Sequence, residues 1–275
     1  MTLNFTRDCS YRIESILHPN KRLVLKLGGI CGIATSASLV LGFVVGENVA
    51  AAFAGTVTSN GEPAGTFQTY GEPLEELLVR LVKASVFHIV GRIFLFAASL
   101  LSIPLLLALH FIISDSKTRY RFLSLLGLVL GIAAATIFAI SHVVIGPLSL
   151  DIANRYSEAS TDLEKIEIVT VAEEIDESLG LTALDNIFMA IGLSLIPALF
   201  LSFGLAMVKT RLFGKWLRWS TMLFGILSIV AIVVGNLTGL GGIALVPASM
   251  FGVAWFILVG YDVHRLSKGI LAPRS

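Results

Sequence analysis

Charge is scarce in this sequence: 14% of its 275 residues are Asp, Glu, Lys or Arg, while 55% are hydrophobic. A soluble globular domain carries about a quarter charged residues, so that class is excluded. The net charge of +1 leaves no basic excess for a nucleic-acid partner, and none is expected. Cysteine is scarcer still. Cys9 stands in the amino-terminal tail and Cys31 inside the first apolar run, so no outer disulfide is available. Also missing are a Walker loop, a dinucleotide fingerprint, HExxH, GxSxG and CxxC. These absences remove the readily recognised enzyme classes, name no catalytic residue and tilt the balance towards a protein that is not an enzyme.

What the chain has in abundance is apolar length. A bilayer core about 30 Å thick needs about 20 apolar residues as helix, because a backbone group left unbonded in lipid costs several kcal/mol. Six segments meet that demand, at about 23–46, 86–113, 122–146, 184–208, 216–235 and 242–260. The expected fold is all-α: a transmembrane domain over 23–268, with tails at 1–22 and 269–275. Outer loops 47–85 and 147–183 form a small acidic extracytoplasmic cap. The first run is too long for the apolar part of a signal peptide and follows a polar tail, so it reads as a retained helix.

Charge placement orients the bundle. Fifteen of the 20 Lys and Arg fall in residues 1–26, 115–121, 209–218 or beyond 260. Fifteen of the 19 acids fall in 47–83, in 148–180 or at Asp185. The positive-inside rule then puts both termini in the cytoplasm of a multi-pass plasma-membrane protein, bacterial or archaeal.

Several stretches echo one another. RIFLFAASLLSIP (92–104) resembles NIFMAIGLSLIP (186–197), and Lys-Thr-Arg follows both, at 117–119 and 209–211. The bundle is thus readable as three repeated helical hairpins, a device found in transporters, although Leu, Ile and Gly recur in every membrane helix. Gly28-x-x-x-Gly32, Gly42-x-x-x-Gly46 and Gly127-x-x-x-Gly131 permit close helix approach. In the outer loops, Asn60-Gly61 suits a small hairpin, 73–85 an acidic helix, and 148–180 one or two amphipathic helices.

Polar residues inside the apolar runs are the candidate site. His88 and Arg92 are four apart and share a helix face. His142, Asp185, Asn186 and Asn236 lie at the outer ends of their segments, at similar depth. A membrane charge costs at least about 2.5 kcal/mol unless paired or snorkelling, so an Arg92 to Asp185 ion pair is expected, with Asn186 and Asn236 completing a polar pocket. Counting about 20 residues back from Ile112 puts Arg92 at the hydrocarbon boundary, where a purely structural role is open to it. His88 and His142 are the candidate ligands if haem or a metal binds. The more economical expectation is no cofactor. On the other side, His110, Asp262 and His264 read as interface residues rather than a metal triad.

Six helices, a long loop between the third and fourth, the stretch FGKWLRWSTMLFGILSIVAIVVG (213–235) and a last helix ending LVGYDVHRL together resemble a bacterial six-helix membrane family of unknown function. The resemblance implies a topology and no mechanism. Two functional expectations stand together. The first is a non-enzymatic bundle in the lipid bilayer, transporter-like or structural, whose acidic outer loops engage a cation or a protein partner. The second is a membrane redox subunit or enzyme holding haem or metal on the outer histidines. The orientation has a direct check. In intact cells an impermeant thiol reagent should label Thr170→Cys and spare Gly214→Cys, in a background lacking Cys9 and Cys31; the reverse pattern rejects it.

Overall fold

The computed structural model describes residues 19–45, 78–79, 82–116, 120–179, 181–210, 212–238 and 241–268. Side chains at 19, 116, 145–146, 149, 172–190, 193 and 234–249 are excepted from that description. Among the described residues there is no strand, and eight α-helices follow in order. They are α1 (Pro19–Phe43), α2 (Ser85–Ser116), α3 (Arg121–Ile140), α4 (Gly146–Glu158), α5 (Asp162–Leu179), α6 (Leu181–Thr210), α7 (Lys215–Thr238) and α8 (Gly241–Ser267). A π-helical turn, Ser141–Ile145, carries α3 directly into α4.

Each of the six expected apolar segments is helical. By length and composition, four stretches of the described chain qualify to cross a membrane: Asn20–Phe43, Ser85–Asp115, Arg121–Val144 and Lys215–Val233. Ser194–Thr210 is a shorter apolar helix of the same character. This is the make-up of a helical membrane protein, in which each backbone group is satisfied inside its own helix. The Asn60-Gly61 hairpin lies outside the described residues, as does most of the helix expected over 73–85.

The loop before α6 resolves into the two amphipathic helices α4 and α5. Thr161 caps α5: its Oγ1 accepts the Glu164 amide at 3.2 Å, and Glu164 Oε2 accepts the amides of Thr161 at 3.1 Å and Ser160 at 2.7 Å. This is a reciprocal capping box. The backbone amides hold the Glu164 carboxyl below the usual carboxylate range.

The chain packs as two compact units, one comprising 1–37, 100–135 and 193–275, the other 38–99 and 136–192. In the first, Leu105, Leu109 and Ile113 of α2 are fully buried, together with Phe203 and Met207 of α6 and Val259 and Val263 of α8. The Phe200 ring meets Phe224 and Trp255 edge-on, at 4.3 and 4.7 Å between centroids. Trp255 Nε1 donates to Thr221 Oγ1 at 2.8 Å, and that hydroxyl donates to Leu217 O at 2.7 Å. The buried indole N–H is thereby satisfied, as an apolar surround demands.

Small residues set how near the helices come in this unit. Gly127 lies against the Phe203 ring, and Gly131 against Leu106 and Leu199. Gly28 seats α1 on Ala108 and on the carbonyl of Pro104, a proline inside α2. Between α1 and α8 the approach is backbone to backbone. A Cβ on Gly260 would stand 2.8 Å from Gly29 O and 3.0 Å from Ile33 N. In the second unit, Gly42 packs on Leu95 and the Gly91 carbonyl, and Gly192 on the Phe138 ring.

Gly260→Leu should therefore force α1 and α8 apart, at a cost of about 1–3 kcal/mol, the usual scale of overpacking. Thermal unfolding in mild detergent reads the loss against Gly214→Ala, where an added Cβ meets nothing within 4 Å. Equal midpoints for the two variants would remove this contact from the account of stability.

Candidate functional site

The second unit holds the polar groups that an apolar helix does not need. On α2, His88 opens the helix by donating its amide to Ala84 O at 2.9 Å, and Arg92 follows one turn later on the same face. Ser99, two turns beyond Arg92, continues that face and donates its hydroxyl to Leu95 O at 3.0 Å. The stripe of His88, Arg92 and Ser99 thus runs inward from the start of the apolar segment.

The partner comes from the π-helical turn. There the chain takes one more residue per turn than an α-helix, and such bulges occur frequently at functional sites because they re-aim side chains. Ser141 is fully buried within it and His142 is 7% exposed. Arg92 Nη1 stands 3.3 Å from His142 Nδ1.

That contact fixes a tautomer. A guanidinium only donates, so Nδ1 must accept and the ring proton of neutral His142 resides on Nε2. His142 then presents a donor, not a lone pair, on its remaining edge. His88 lies within electrostatic reach of His142, and Arg92 bears on both rings. The Nε2 atom of His88 is buried and has no hydrogen-bond partner. Two imidazoles, those of His88 and His142, thus feel one fixed positive charge, that of Arg92.

The structure joins some of the expected residues and does not describe others. Arg92 and His142 are in contact, and His88 precedes Arg92 by one turn of α2. Asp185, Asn186 and Asn236 belong to α6 and α7, but their side chains fall outside the described residues, and so does the expected Arg92 to Asp185 pair.

The Arg92 to His142 contact was not among the expectations, yet a signal for it exists in the numbering. Arg92 and His142 stand 25 positions on either side of Lys117, which falls in the sequence between α2 and α3. Residues equidistant from a helical turn come level with each other. The same arithmetic holds for His110 and Ser124, seven positions either side of Lys117, whose Nδ1 and Oγ atoms are 3.0 Å apart. Depth was legible; that the two side chains face each other was not.

On the expected cytoplasmic side, Ser124 Oγ donates to Arg121 O at 3.0 Å, so it accepts from His110 Nδ1–H. Burial raises the Asp262 carboxyl above its usual range, with Arg265 opposing. Among the described residues, no group of three or more His, Cys, Asp or Glu side chains is placed to hold a metal ion. No family model, curated protein or solved structure matches this chain.

Loss of either side of the Arg92 to His142 bond should cost stability, and loss of both should cost less than the sum. A double-mutant cycle with Arg92→Gln and His142→Ala, followed by thermal unfolding, should give a coupling of about 1 kcal/mol. Strictly additive losses would show that the contact contributes nothing.

Proposed function

We propose that this protein is a non-enzymatic, transporter-like plasma-membrane bundle of six spans, with both termini in the cytoplasm and a solute-binding polar site in its outer half. The observation that carries the reading is the bond from Arg92 to His142 Nδ1 inside the π-helical turn. A helix that only spans or scaffolds has no use for a buried histidine locked in one tautomer by a cation. A binding site has, because it must present donors in a fixed geometry.

The same bond weighs against haem or metal on the outer histidines. A ligating imidazole offers a lone pair from one ring nitrogen and donates its other N–H to a carboxylate or carbonyl, which raises its basicity. At His142 the arrangement is inverted: Nδ1 is engaged by a cation and Nε2 holds the proton. Ligation would require that bond to break.

Two features support the orientation. Trp216 is 91% exposed and Trp219 more than half exposed in the first turns of α7, beside Lys215 and Arg218, and Phe122 is similarly exposed next to Arg121 at the start of α3. Aromatic rings with Lys and Arg are the usual occupants of a membrane–water interface, and the basic residues favour its cytoplasmic face. Lys21 Nζ, 2.7 Å from Asp115, ties α1 to the end of α2 at what would be the same level. The two remaining spans would be supplied by α6 and α8, giving the three hairpins of the repeat reading.

Protein purified in mild detergent should be colourless and free of stoichiometric metal by absorption spectroscopy and elemental analysis. A Soret band or bound metal that disappears on His88→Ala or His142→Ala would replace this reading with a redox subunit.

A further inference from the structure

We propose that the first turns of α7 hold the headgroup of an anionic phospholipid, with its acyl chain along the exposed face of the same helix. The inference uses neither the Arg92 to His142 contact nor the orientation of the bundle. It needs only that α7 crosses a bilayer, as the length and composition of Lys215–Val233 allow.

The charge at this end of the helix is not answered by the fold. Residues 209–218 carry Lys209, Arg211, Lys215 and Arg218, and no acid occurs between Asp185 and Asp262. Among the described residues of the first unit, the carboxylates are those of Asp115 and Asp262. Lys21 takes Asp115 at 2.7 Å, and Arg265 is the charge that bears on Asp262. Arg218 Nε is buried and has no hydrogen-bond partner, so one guanidinium donor is left unused. A donor in that state is costly unless something outside the chain completes the guanidinium's bonding. Gly204 packs on Met222 and Gly225 on Leu201, and this antiparallel register brings Lys209 of α6 level with the first turns of α7.

Helical spacing puts these cations at the head of an apolar stripe. Lys215, Arg218 and Trp219 stand at i, i+3 and i+4 and share a face, which Trp216 borders. Both tryptophans are exposed. Further along the helix, Trp219, Leu223, Ile226, Val230 and Val233 are all exposed and fall within about a quarter of the helix circumference. From Trp219 to Val233 the stripe runs about 21 Å, enough for one leaflet of a hydrocarbon core about 30 Å thick. A charged end that opens onto an apolar stripe is the profile of an amphiphile, and the sign of the charge selects an anionic headgroup. Guanidinium groups engage phosphate oxygens in pairs, and basic clusters beside a membrane helix attract anionic lipid. A free phosphate would use the cations and leave the stripe without a role. A basic protein segment would be repelled.

The three tryptophans make the test direct. Trp255 is 3% exposed, so a quencher carried by lipid reaches Trp216 and Trp219. Full-length protein is placed in phosphatidylcholine nanodiscs doped with a minor fraction of either brominated phosphatidylglycerol or brominated phosphatidylcholine, at constant salt. Tryptophan fluorescence should be quenched more by the brominated phosphatidylglycerol. Lys215→Gln and Arg218→Gln should each lower that preference about fivefold, the contribution of one cation near a lipid surface. If Arg218→Gln does not fold, Lys215→Gln carries the comparison, since Lys215 is exposed. Equal quenching by the two brominated lipids overturns the inference. A preference that survives both substitutions overturns it as well, because it would report a diffuse surface potential rather than a site. Equal quenching together with thermal stabilisation of the detergent-solubilised protein by inorganic phosphate would replace the lipid with a free oxyanion. None of these outcomes bears on the polar site of the second unit, which is read separately by absorption and metal analysis.

Discussion

Inside a bilayer a backbone amide has no water to bond, and leaving one unsatisfied costs several kcal/mol. The helices of this chain follow from that constraint, and so do the roles of its few polar side chains. Once the backbone is satisfied within each helix, apolar side chains gain little from leaving lipid, and helices must adhere by close fit. Glycine supplies the fit here. Gly29 and Gly260 bring α1 and α8 to backbone contact, while Gly127 and Gly131 receive Phe203 and Leu199 of α6. The same constraint makes every buried hydroxyl or ring nitrogen conspicuous, because each needs a protein partner.

Most of those polar groups are answered locally. Thr35, Thr221 and Ser228 each return a hydrogen bond to the carbonyl four residues back, at 2.7 to 2.8 Å. Trp255 is answered across helices by Thr221, and Ser36 by the carbonyl of Val253. Arg92 with His142 is of another kind, since it joins a charge to an ionisable ring through a π-helical turn. A neutral pair would serve packing as well and spare the desolvation of a guanidinium.

Much of the fold was legible from composition and period. Six apolar runs of at least about 20 residues leave little choice but helix, and each expected segment is helical to within a few residues. The acids between Leu148 and Gly180, alternating with Leu163, Ile166 and Val169, announced surface helices, and Thr161 with Glu164 marks where the second begins. Less of the site could be read. Charge cost made Asp185 the natural partner for Arg92, because an ion pair is the strongest compensation a sequence can suggest. A neutral histidine accepting from arginine is a weaker signal, and nothing in residue spacing announces the extra residue per turn that aims it.

By itself the sequence determined that the chain is helical, that its helices are long and apolar enough for a membrane, and that polar residues collect at one end of the apolar runs. These are properties of single segments, set by the cost of exposing backbone and charge to hydrocarbon. Tertiary structure decided which side chains meet: Arg92 with His142, Trp255 with Thr221, and Gly260 against Gly29. Those pairings depend on the rotation of each helix about its axis. Helix rotation is set by packing against neighbours, and no single apolar run encodes it.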